Sequence, residues 1–98
     1  MATESGVAQT LNLRTLAKSN PEGSAVPGTD LEVRHITEKH ELTLEGDLWV
    51  LVLSGELIID LPYGDFRILK EGDCLHLDEG LKISYQPLEE VVVVWRRG

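Results

Sequence analysis

Leu48-Trp49-Val50-Leu51-Val52-Leu53-Ser54-Gly55-Glu56-Leu57-Ile58-Ile59-Asp60-Leu61 decides the fold class. It holds two short apolar runs separated by Ser54-Gly55. Both are rich in Leu and β-branched residues, whose stiff side chains suit a pleated surface, and each has the length of a strand rather than a helix. The stretch predicts two buried strands meeting at a tight turn. Along the first strand, alternation puts Leu48, Val50 and Val52 on one face and Trp49, Leu51 and Leu53 on the other. A strand that is apolar on both faces needs cover on both faces.

The β pattern continues in both directions. Upstream, Leu31-Glu32-Val33-Arg34-His35-Ile36 alternates, with Leu31, Val33 and then His35 on one face. Leu42 and Leu44 alternate with Glu41, Thr43 and Glu45. Downstream, Pro62-Tyr63-Gly64-Asp65, Lys70-Glu71-Gly72-Asp73 and Asp78-Glu79-Gly80 read as turns. Between and beyond them, Phe66–Leu69, Cys74–Leu77, Lys82–Gln86 and Glu90–Trp95 read as strands. Ile83 and Tyr85 share the inward parity, and Val91-Val92-Val93-Val94-Trp95 is apolar on both faces. Strands separated by turns at intervals of about 8–12 residues indicate an all-β sandwich or barrel over 31–98. No stretch shows a sustained helical period.

Residues 1–30 read as an N-terminal arm and loop. Met1 to Val7 is expected to fray. Gln9–Lys18 is read as a short strand followed by a turn: Leu11 and Leu13 alternate, although Leu13 and Leu16 also suit one helical turn. Ser19–Asp30, with two Pro and two Gly, reads as loop.

Lys plus Arg is 9 and Asp plus Glu is 17, for a net charge of −8. Such a surface repels phosphate backbones, and Arg96-Arg97 is too small a basic cluster for a nucleic-acid partner. Nothing approaches the roughly 20 apolar residues that span a bilayer, so no membrane partner is expected. Met1-Ala2-Thr3-Glu4-Ser5-Gly6 lacks the basic and apolar regions of a secretory signal. The single cysteine, Cys74, excludes an internal disulfide. Together these readings lead to a cytoplasmic protein as the expectation.

Val52-Leu53-Ser54-Gly55-Glu56-Leu57, then Leu69-Lys70-Glu71-Gly72-Asp73, then Gly80, resemble the turn phrases of a small single-domain cupin of the RmlC-like kind. The resemblance covers about Leu31 to Trp95. It implies a double-stranded β-helix, that is, a jelly-roll barrel of two packed sheets. It also implies a dimer that exchanges N-terminal strands, which would suit the arm. The family spans enzymes, binding domains and storage proteins, so the fold does not settle the activity.

The family's metal ligands are the departure. With the last Gly of the first motif on Gly55, its Glu position is Leu48. Its two His positions are Leu42 and Leu44 at the shorter spacing, or Glu41 and Thr43 at the longer. With the second motif anchored on Gly72 and Gly80, its His position is Ile83. At the shorter spacing all four ligand positions, Leu42, Leu44, Leu48 and Ile83, are aliphatic, and aliphatic carbon coordinates no metal. The pattern suggests a barrel interior filled by core where a metal would sit, and no cofactor is expected.

The remaining chemistry is sparse. A one-residue slip would bring His40, Asp47 and His76 to a two-His-one-carboxylate set for a divalent metal, at the expense of flipping the strand's faces. Cys74 and His76 share a face of one strand. A thiolate–base pair is one reading; a small apolar side chain beside a surface His is the plainer one, with Leu75 and Leu77 facing the core. Tyr85, inward near the barrel mouth, and His76 are the candidate ligand-binding residues. No catalytic pair is identified. The favoured reading is a metal-free binding or accessory module for a small polar ligand. It is homodimeric through Trp49, Leu51, Leu53 and the arm. The alternative is a small cupin enzyme: metal-dependent through non-standard His ligands, or a metal-independent isomerase or epimerase.

Overall fold

In the computed structural model, which describes residues 8, 10–20 and 22–97, β-branched and Leu-rich alternation is realised as strands. The elements are α1 (Leu13–Ser19), β1 (Ser24–Ala25), β2 (Leu31–Ile36), β3 (His40–Thr43), β4 (Leu48–Ser54), β5 (Leu57–Asp60), β6 (Phe66–Leu69), β7 (Cys74–Leu77), β8 (Lys82–Pro87) and β9 (Val91–Arg97). A 3-10 turn at Pro62–Gly64 links β5 to β6. The expectation that Met1 to Val7 frays lies outside the described residues.

The strands form two antiparallel sheets, in the orders β1-β2-β9-β4-β7 and β3-β8-β5-β6. Apolar residues from both inner faces make one core. Leu48, Val50 and Val52 of β4 meet Leu57 and Ile59 of β5, Ile83 and Tyr85 of β8, and Val91, Val93 and Trp95 of β9. Each fully buried aliphatic contributes roughly 1.5–3 kcal/mol of transfer free energy, before the entropy of ordering it is subtracted.

The β4–β5 connection differs from the expected hairpin. The two strands do not pair: β4 lies in the five-stranded sheet between β9 and β7, and β5 in the four-stranded sheet between β8 and β6. Ser54-Gly55-Glu56 is therefore a corner that carries the chain from one sheet to the other. Two local features make the corner. A β-bulge shifts the β4–β9 register between Val52 and Ser54, which bends the strand. Gly55 has φ +85°, and a Cβ there would collide with the carbonyl oxygen of Glu90. Periodicity identifies a pair of strands but not their partners, and here β4 pairs with β9 and β7 while β5 pairs with β8 and β6.

The N-terminal segment also departs from its expectation. Leu13–Ser19 is a helix, not a strand and turn. Asn12 caps it by accepting the Thr15 amide on Oδ1 at 3.0 Å. At two turns it is too short to show a sustained period or to be stable alone. Tertiary cover holds it: Leu13, Leu16 and Ala17 pack on Val33, Val92 and Val94 together with Leu51 and Leu53. Within the expected loop, Ser24–Ala25 forms β1 against Glu32 and Val33.

The outer face of the β2-β9-β4 sheet is thus covered by the chain's own helix. Trp49 lies beyond that cover and remains 44% exposed. Among the described residues no helix is long and apolar enough to cross a membrane.

Candidate functional site: a polar cleft beside a closed core

At the shorter motif spacing, the positions that the cupin resemblance assigns to metal ligands are packed with aliphatic side chains. Leu42 and Ile83 are direct cross-strand partners on β3 and β8. Leu44, Leu48 and Ile83 are buried, and Leu42 packs against the same cluster. Among the described residues, the Tyr85 hydroxyl and the Trp95 indole N–H apart, no charged or polar side chain is buried in that core. These side chains carry no lone pair, so the residues present do not fit the family's metal.

The three histidines are dispersed. His76, on β7, projects from the outer face beside Trp49, its cross-strand partner, with ring centres 4.7 Å apart. A hydrogen bond of 2.8 Å joins its Nε2 to Asp47 Oδ2, and Nδ1 lies 3.8 Å from Asp78 Oδ1. The bond to His76 holds the Asp47 carboxyl below the usual range. So Asp47 and His76 do meet. His40 does not join them: it opens β3 in the other sheet, opposite Tyr85. Among the described residues no three His, Cys, Asp or Glu side chains are grouped to hold a metal ion. Tyr85 and His76 also part company, since Tyr85 points into the barrel and His76 away from it. The reason is register: β7 pairs with β4, and only its Leu75 and Leu77 parity faces the core. Cys74 is exposed on the same outer face as His76.

His35 faces outward beneath α1. Its Nε2 lies 3.3 Å from Glu90 Oε2, and Lys18 of α1 lies 3.4 Å from Glu90 Oε1. His35, then Lys18, hold the Glu90 carboxyl below its ordinary value. The contact links the helix to the corner that Gly55 and Glu90 share.

The polar groups that do converge lie where β2 of one sheet faces β3 and β8 of the other. Alternation on β2 sends Val33 toward α1, and so sends Glu32 and Arg34 to the barrel side. Arg34 donates from Nε to Glu32 Oε1 at 2.8 Å, and its guanidinium lies 4.6 Å from the centre of the Trp95 ring. Arg97 lies 5.6 Å from the same ring. Tyr85 meets Trp95 edge-on at 5.5 Å, and His40 stacks on Tyr85 at 5.4 Å. Burial pushes the Tyr85 hydroxyl up, against the opposing pull of Arg34. The Trp95 Nε1–H is buried and has no acceptor among the described residues. Beside this cluster is a cavity of about 370 Å³, whose lining includes Glu22, Arg34, Glu38, His40 and Tyr85.

Of the sequence candidates, Tyr85 and His40 belong to this cleft. Arg34, Glu32 and Trp95 were missed. The signal available was the Glu32-Arg34-Ile36 face of β2, opposite the Leu31-Val33 face that the helix covers.

No protein-family model and no curated protein sequence matches the chain. Solved structures do. The chain superposes on protein NMB1881 from Neisseria meningitidis with a TM-score of 0.73 at 14% identity, over 92% of this chain and all of that one. It superposes on a cupin-2 domain containing protein from Shewanella frigidimarina with a TM-score of 0.64 at 14% identity, over 74% of this chain and 76% of that one. With the ethanolamine utilization protein EutQ from Salmonella typhimurium the TM-score is 0.59 at 24% identity, over 69% of this chain and 57% of that one. At these identities the likeness is one of fold, and with two antiparallel sheets closed around one apolar core it leads to a single conclusion: this chain has the cupin fold.

Proposed function

We propose that the protein is a metal-independent binding module that takes a small polar molecule in the cleft between β2, β3 and β8. One observation carries the reading. At the shorter spacing of the family motif the four metal positions are Leu42, Leu44, Leu48 and Ile83, which pack in or against the apolar core, while Arg34, Tyr85 and His40 converge beside a cavity next to it. A fixed guanidinium with aromatic neighbours suits recognition of a polar ligand. Aliphatic packing at the ligand positions avoids the cavity that absent ligands would leave.

The enzyme reading is weaker on two counts. Tyr85 has its hydroxyl pushed up by burial, which opposes a role as acid near neutral pH. His76, the other candidate, faces outward. Self-association is part of the proposal, with a changed interface: Leu51 and Leu53 pack under α1, so Trp49 is the residue left to contact a second copy.

Metal analysis of untagged protein tests the central point. Sub-stoichiometric iron, nickel, manganese and zinc are expected. One equivalent of any of them, retained through dialysis, would refute the reading.

A further inference from the structure

Resting on the cleft as a binding site, we propose that its ligand is a small zwitterion, an α-amino acid or a betaine. Its carboxylate docks on Arg34 and its cationic end faces Glu22 and Glu38.

The guanidinium supplies the first half of the argument. Arg34 engages Glu32 through Nε, and its guanidinium also reaches the Tyr85 hydroxyl, so that it faces the cleft between the two. The Glu32 bond and the Trp95 ring hold the guanidinium plane from two sides. A guanidinium held this way presents its terminal donors as a fixed fork, the geometry that a carboxylate accepts with both oxygens.

The rim supplies the second half. Glu22 and Glu38 are exposed at the same cavity, on a chain with net charge −8. A ligand that is only anionic is repelled there, whereas one that carries a positive end is drawn in. The stacked rings of His40 and Tyr85 offer an aromatic wall against which an ammonium group is stable. The cavity, at about 370 Å³, lies near the lower limit of ligand pockets and suits a small metabolite.

The two tryptophans provide the assay. Trp95 lies under Arg34, and Trp49 lies on the opposite, outer face of the sheet. In a nitrogen-15 correlation spectrum of the full chain, alanine, glycine betaine, succinate, ethylamine and erythritol are titrated in turn. The expected result is a saturable shift of the Trp95 indole signal with alanine or betaine and none with the other three, while Trp49 stays still. Arg34→Gln is expected to weaken the effect at least tenfold. The Glu22→Gln/Glu38→Gln pair, both exposed and away from the core, keeps the fold and is expected to weaken the zwitterions while admitting succinate. A saturable Trp95 shift with succinate, ethylamine or erythritol, and none with the zwitterions, overturns the ligand class but leaves the cleft as the site. A Trp95 signal unmoved by every probe, or moved equally in Arg34→Gln, overturns both.

Discussion

Leu42 and Ile83 face each other across β3 and β8, at two of the positions where the cupin resemblance leads one to look for metal-binding histidines. Ile83 lies in the apolar core and Leu42 packs against it. The consequence is energetic as well as chemical, because such positions now bear on stability.

Ile83 is 4% exposed and enclosed by core neighbours. Ile83→Ala is expected to lower the unfolding free energy by about 2–5 kcal/mol, the cost of lost transfer plus a cavity in a site that cannot fully collapse. Urea denaturation followed by tryptophan fluorescence measures it. A loss under about 1 kcal/mol would mean that the interior is not close-packed at this point.

The corner at Gly55 makes a second, backbone-level prediction. Its φ of +85° lies in the left-handed region, and a side chain would strike Glu90. Gly55→Ala should destabilise by about 1–3 kcal/mol or more through strain and clash. Gly64→Ala, at φ +77° but with nothing near its Cβ, should cost less. Equal losses at the two sites would remove the clash from the account.

Acid should loosen the fold in a defined direction. Asp47, Asp30 and Glu90 all have carboxyls held low, by His76, by Arg96, and by His35 with Lys18. A depressed folded-state pKa gives stabilisation that is present above the unfolded value, 3.8 for Asp and 4.5 for Glu, and lost as pH falls through the folded value. The urea midpoint should therefore decline on acidification below about pH 4.5, and Asp47→Asn should flatten part of that decline. An unchanged acid limb in Asp47→Asn would show that the contact to His76 adds nothing to stability in solution.

Oligomeric state separates the helix from the second copy as cover for the outer face. In the micromolar range, light scattering coupled to size exclusion should report a dimer that Trp49→Ser converts to monomer. Leu16→Ser, which opens the α1 contact to Val33, Val92 and Val94, should instead cost stability and promote association. A wild-type monomer at these concentrations would leave α1 as the sole cover and would end the dimer proposal.

Strand alternation alone was enough to orient Leu48, Val50 and Val52 inward and Trp49, Leu51 and Leu53 outward, because side-chain direction in a strand is a local property with period two. The same rule oriented Ile83 and Tyr85, and it established that β9 needs cover on both faces. The turn glycines carried the cupin resemblance for the same local reason. What covers an outward face is not a local property. That Leu51 and Leu53 lie under Leu16 and Ala17, and that β4 and β5 part into different sheets, follows from contacts between segments distant in sequence. The cleft belongs to that second kind. Arg34, His40, Tyr85 and Trp95 come from four strands and two sheets, with no common motif. Pairing of β2 with β9 brings the guanidinium against the indole, and only the closure of one sheet over the other sets His40 and Tyr85 beside them and leaves a cavity there.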